Sequence, residues 1–136
     1  MNKLAAVLLI LMTSVAIAET PIEVAIKKHV GVREGFKIST EITGKVNGHD
    51  SDLTVVQWAL LGPTYWQNFV SIFTSQHEEL DTEVVYGLVD GMEIENGNIV
   101  LTLKTKGSDD PRCCPSFIEE KLFHIVESEL SELPEF

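Results

Sequence analysis

The chain has 136 residues, with 10 basic against 21 acidic side chains and a formal net charge of −11 at pH 7. A single domain of this size buries a real hydrophobic core without needing staples. A surface this acidic repels phosphate backbones and anionic lipid headgroups, which argues against nucleic acid and membrane surfaces as partners.

The N-terminus predicts an export signal over residues 1–18. Met1-Asn2-Lys3 carries positive charge, residues 4–12 form an unbroken apolar run, and Ala16-Ile17-Ala18 gives an A-x-A cleavage pattern. A membrane anchor needs about 20 apolar residues, whereas Thr13 and Ser14 interrupt this shorter stretch. No cysteine sits near the cleavage point, so a lipid anchor has no acceptor. The expectation is a cleavable leader and one globular domain, 19–136, free of the membrane in the periplasm or medium. Cleavage removes only Lys3 from the charged residues, leaving the domain one charge more negative than the whole chain. The acids form no long run, which suits a solubilising surface. The same charge would also steer the domain toward a cationic partner.

Residues 21–30 predict a helix. Thr20 is placed to cap it, Pro21 fits the first turn, and Ile22, Ala25, Ile26, His29 and Val30 follow helical spacing up to a stop at Gly31. From Gly35 the period changes to two: Phe36, Ile38 and Thr40 alternate with Lys37, Ser39 and Glu41, the pattern of a strand. Asn47-Gly48-His49-Asp50 reads as a turn. Residues 53–61 predict an apolar strand broken by Gly62-Pro63-Thr64. The spacing in 65–74 fits a helix or a strand; the short Gly-Pro connection and the aromatic and β-branched content favour a strand. A short strand over 82–86 and a hairpin turning at Asn96-Gly97 follow, since both turn positions tolerate positive φ. Residues 116–133 are ambiguous: Ser116 to Glu119 has capping-box spacing and Ile118, Leu122, Ile125 and Val126 form a helical stripe, yet 121–126 also suits a strand. The expected class is α+β, mainly β: an N-terminal helix packed on an antiparallel β-meander of about five to seven strands.

The chemistry-bearing motif is Asp110-Pro111-Arg112-Cys113-Cys114-Pro115-Ser116. Bracketing prolines make a stiff irregular loop. Adjacent Cα atoms sit about 3.8 Å apart, less than the roughly 4.4–6.8 Å of ordinary disulfides. A bond between Cys113 and Cys114 would therefore close a small strained ring, easier to reduce than a structural bridge. It would also restrict almost no chain entropy. Three states are open: a vicinal disulfide favoured by an oxidising compartment, a reduced pair holding Cu(I) or Zn(II), or sulfurs joined to another chain. The spacing does not match the Cys-x-x-Cys of redox enzymes or a zinc knuckle.

This heptad resembles the signature of the LppP/LprE-like family of small bacterial secreted proteins and lipoproteins. The resemblance extends in element order from about Thr43 to Leu130: an acidic turn before a strand, hairpins, then the Cys-Cys-Pro-Ser loop leading into a last strand. It implies a strand for 121–126. It implies no activity, because the family carries none to transfer. Related proteins often have an Asp-x-Asn-Gly-Asp-type turn able to hold calcium. Here Lys45 and His49 stand where oxygen ligands belong, leaving Asn47, Asp50 and Asp52, so the segment reads as a plain turn.

No other constellation stands out. His29, His49, His77 and His124 lack metal-binding spacing, and no Gly-x-Ser-x-Gly elbow or glycine-rich phosphate loop occurs. His77-Glu78-Glu79 reads as a solvated turn, Glu93 and Glu95 as the wet side of a strand, and Trp58, Tyr65, Trp66, Phe69 and Phe73 as core. The sequence thus predicts a non-enzymatic exported module that binds a protein or small ligand and needs no cofactor or resident metal. Cys113 and Cys114, supported by Asp110, Pro111, Arg112, Pro115 and Ser116, form its characteristic loop. A thiol-redox or soft-metal protein, and an inhibitor of a basic secreted enzyme, are the alternatives.

Overall fold

Thr20 opens the first element. Its hydroxyl accepts from the Glu23 amide at 3.2 Å and Pro21 needs no amide partner in the first turn, so α1 forms over Pro21–Lys27. Beyond Lys27 the turns tighten: the Lys28, His29 and Val30 amides bond carbonyls three residues back, at 3.2, 2.9 and 3.1 Å, so the regular helix stops short of Gly31. The computed structural model describes residues 19–31, 34–62, 67–105, 109 and 116–134. The leader, Tyr65, Trp66 and the Cys113–Cys114 pair lie outside the described residues. Among the described residues no helix is long and apolar enough to cross a membrane.

Among the described residues eight strands follow: β1 (Gly35–Gly44), β2 (Leu53–Leu61), β3 (Gln67–Phe73), β4 (Glu79–Val85), β5 (Leu88–Glu95), β6 (Asn98–Thr105), β7 (Phe117–Val126) and β8 (Glu129–Glu132). They make two four-stranded antiparallel sheets, β1-β2-β3-β4 and β5-β6-β7-β8, each ordered as in the chain. The protein is therefore mainly β. In place of one meander of five to seven strands there are two meanders in series. The whole passage between them is Tyr86-Gly87, too short to leave any signal in the hydrophobic period. The segment 65–74 and the contested C-terminal stretch both supply strands, β3 and β7; of the predicted 82–86, residues 82–85 are the latter part of a longer β4 and Tyr86 falls outside it. β8 was not foreseen.

The sheets are joined edge to edge as well as face to face: β1 lies against β5, and β4 against β8. Between them sits the main core, including Leu53, Val55, Val70, Ile72, Ile99, Leu101, Leu103, Phe123 and Ile125. Strand alternation sends the next residues of β2 and β3 to the opposite face. There Val56, Trp58 and Phe73 share a second buried cluster with Ile22 and Ile26. This is why nearly all of β2 is buried, the mark of a strand covered on both faces.

One end of the sandwich is closed by backbone. The Asn47 amide donates to the Gly97 carbonyl at 2.7 Å, and the Ile125 amide donates to the Asn47 carbonyl at 2.9 Å, so the β1–β2 turn is stitched to the second sheet. The Asn47 side chain adds bonds to the Asn96 carbonyl and to Asn98 Oδ1, both at 3.1 Å. Asn96 and Gly97 take φ of 54° and 78°, as a tight hairpin demands.

Candidate functional site

The opposite end is built differently. Register places Gly35 beside Leu61, Leu60 beside Gln67, and Asn68 beside Val85 in the first sheet; in the second it places Leu88 beside Lys104 and Thr105 beside Phe117. The β2–β3 connection, the Tyr86-Gly87 corner and the 106–116 connection that carries the cysteines therefore all leave from this end. Of the eight exposed large apolar residues among those described, six are here: Leu61, Val84, Tyr86, Leu88, Phe117 and Ile118. Tyr86 is 75% exposed, Ile118 62% and Phe117 59%. These exposed apolar side chains are concentrated at one end of the domain.

Beneath this rim the interior turns polar. Gln57 and Asn68 occupy inward positions on β2 and β3 where the neighbouring inward residues, Val55 and Val70, are apolar core. Both amides are buried. Gln57 Nε2 donates to Asn68 Oδ1 at 3.1 Å, and Asn68 Nδ2 donates to the Gly87 carbonyl at 2.8 Å, which pins the corner between the sheets. A cleft of about 340 Å³ opens beside them, lined by Ser39, Gln57, Asn68, Leu88, Val89, Asp90 and Lys104. Its two edge strands are irregular at this place: the register of β1 shifts between Ile38 and Thr40, and that of β5 between Val89 and Gly91. Bulges at Ser39 and Asp90 interrupt strand pairing and re-aim side chains, which leaves room for the opening. Lys104 Nζ stands 3.7 Å from Asp90 Oδ1 at the mouth, both groups well exposed.

The cleft thus offers carboxamides, a hydroxyl and an exposed ion pair beside apolar Leu88 and Val89. Groups of this kind hold ligands by hydrogen bonds and contact area. No histidine is among its described lining residues. Of the heptad, only Ser116 is described; it is exposed and immediately precedes β7. Asp110, Pro111, Arg112, Cys113, Cys114 and Pro115 lie outside the described residues.

A second polar chain was missed by sequence reasoning. Trp58 Nε1 donates to Ser71 Oγ at 2.9 Å; Ser71 and Thr82 hydroxyls are 2.6 Å apart; Thr82 Oγ1 donates to Glu79 Oε1 at 2.5 Å; and His29 Nε2 lies 2.6 Å from the same carboxylate oxygen. Because Ser71 accepts from Trp58 and Thr82 donates to Glu79, Ser71 donates to Thr82. Ser71 is fully buried with its proton committed, so the chain is structural and not a nucleophilic relay. Glu79, read as part of a solvated turn, anchors it. The local sequence around Thr82 carries no sign of this link, since His29 lies far away in the chain.

The expected calcium-less turn at 45–52 spends its side chains locally: Asn47 on the neighbouring hairpin, His49 Nδ1 on the Ser51 carbonyl at 2.9 Å. Among the described residues no group of three or more His, Cys, Asp or Glu side chains could hold a metal ion. Glu93 and Glu95 lie exposed along β5, and Trp58 and Phe73 are core as expected. Comparison with family models, curated proteins and solved structures found no match for the chain.

Proposed function

We propose that this is an exported, non-enzymatic binding module that takes its ligand at the open end of the sandwich, beside a stiff vicinal-cysteine loop. The observation that carries the reading is the pairing, at one end, of six exposed apolar residues with buried amides lining a cleft. The 1–18 leader supports delivery to the periplasm or medium, where Cys113 and Cys114 would oxidise to each other. The acidic surface supports a protein or small-ligand partner over nucleic acid or membrane. The 110–116 heptad supports kinship with the LppP/LprE-like family.

The helix belongs to the same proposal: α1 docks on the outer face of the first sheet and holds it rigid behind the cleft. Ile22 and Ile26, buried with Val56, Trp58 and Phe73, support this, as does the His29–Glu79 bond.

The deciding experiment has two arms on protein purified from its native compartment. Intact mass before and after alkylation should show two unalkylated, metal-free sulfurs within one chain. Stoichiometric Cu or Zn, or free thiols exchanging with glutathione, would replace this reading with the thiol or soft-metal one. The second arm is a ligand panel read by thermal shift, because a ligand bound to the native state raises the unfolding midpoint. The stabilising compounds should lose their effect on Leu88→Glu. A turnover abolished by a single side-chain change would overturn the non-enzymatic assignment.

A further inference from the structure

β8 covers only part of β7. Its ladder pairs Phe123, His124, Ile125 and Val126, is extended by one bond from the Leu133 amide to the Leu122 carbonyl at 2.8 Å, and then meets Pro134, which has no N–H to continue it. Residues 117–121 of β7 pair with β6 on one side, and among the described residues no strand pairs with them on the other. Backbone groups of a strand alternate sides with period two. Since the Leu122 carbonyl points to the β8 side, the N–H and C=O groups of Ile118 and Glu120 point to that side as well. These are the donors and acceptors of an open edge.

Three further observations give the edge an occupant. A groove of about 430 Å³ runs where β8 leaves off, lined by Glu120, Lys121, Leu122, Glu132, Leu133 and Pro134 among others. Phe117 and Ile118, on opposite faces of the strand by alternation, are both more than half exposed, so an added strand would find an apolar contact above and below. The bordering charge is negative: Glu119, Glu120 and Glu132 stand against Lys121, whose ammonium is already 3.9 Å from Glu132. We propose that the open edge of β7, from Ile118 to Leu122, receives an extended cationic segment of another protein as an added strand. Backbone bonds to Ile118 and Glu120 hold it, alternate apolar side chains meet Phe117 and Ile118, and lysines or arginines meet the glutamates. The inference rests on the binding-module reading but not on the cleft.

The test uses the full purified protein and a fluorescent peptide of alternating lysine and valine, acetylated and amidated. Saturable binding that weakens with salt is expected, with the Ile118 and Glu120 amides gaining protection from hydrogen exchange when peptide is added. Glu120→Pro removes an outward N–H without touching the β6 ladder, and should weaken binding by about tenfold or more while Leu88→Glu leaves it unchanged. An acidic peptide of the same length should not bind. No saturation by about 1 mM peptide, unaltered exchange at Ile118 and Glu120, or equal binding by a folded Glu120→Pro protein would each overturn the proposal. Self-association of the protein that Glu120→Pro abolishes would assign the edge to a second copy and overturn the cationic occupant. Peptide binding lost in Leu88→Glu alone would place the peptide in the cleft.

Discussion

Ser71 has no solvent to fall back on. Its hydroxyl accepts the Trp58 indole N–H and passes its own proton to Thr82. Ser71→Ala should cost about 1–3 kcal/mol in chemical denaturation, because it strands a buried donor. Gly48 is equally constrained. Its φ of 92° is unfavourable for any side chain, and a Cβ there would sit 1.7 Å from the Ile125 carbonyl oxygen, which is backbone and cannot swing away. Gly48→Ala should destabilise by about 3 kcal/mol or more, measured the same way, by tearing the stitch between the sheets at the closed end. Glu83 works in the other direction. Partial burial, then the carboxylates of Asp81 and Glu129, raise its carboxyl above the ordinary value. A raised folded-state value contributes stability below the unfolded-state value and loses it as pH climbs through the folded one. Glu83→Gln should therefore unfold at a slightly higher temperature than the native protein at pH 7, and the gap should close on acidification through the carboxylate range.

At the scale of elements, a carboxylate ties the β4–β8 seam. Asp81 Oδ2 accepts from the Leu130 amide at 2.8 Å while Oδ1 accepts from Thr82, so the edge of one sheet is tied to the edge of the other. Asp81→Ala should cost about 1–3 kcal/mol and raise hydrogen exchange at the Leu130 amide specifically. The elements differ in how readily the sequence declares them. β2 was plain because Thr54, Val55, Val56 and Trp58 crowd β-forming residues into a short apolar run that Gly62-Pro63 ends. The β5–β6 hairpin was plain because Asn96-Gly97 sits between two alternating runs. β7 was ambiguous because Ile118, Leu122, Ile125 and Val126 satisfy a helical stripe while alternate residues also suit a strand; pairing with β6 decides it, and pairing is not a local property. β8 was invisible: Glu-Leu-Ser-Glu has one apolar residue, and Leu130 becomes a strand residue only by reaching the core.

At the scale of the molecule, what the sequence withheld was the partition. Composition and turn signals announce strands but not which edge meets which, so the cleft was out of reach: Gln57 and Asn68 look like isolated polar residues in apolar runs until the corner at Gly87 brings their amides to use. The cysteine motif lies outside the described residues, and the register of Thr105 with Phe117 shows that the connection carrying it springs from the end bearing the cleft. Replacing both Cys113 and Cys114 by serine should leave global stability within about 0.5 kcal/mol, since an adjacent pair closes no appreciable loop. The same double variant should lose the thermal shift given by cleft ligands.

The Tyr86-Gly87 hinge point has a temporal meaning too. Every ladder joins strands that are consecutive in the chain, so residues 35–85 can finish their sheet before any of 88–132 has left its channel or ribosome. Until the second half arrives, Val55, Val70 and Ile72 face water on a completed surface with nothing opposite. A polypeptide cut after Gly87 should therefore be a sticky half-shell, retaining strand signal yet aggregating. Adding the separately made C-terminal half during refolding should rescue it.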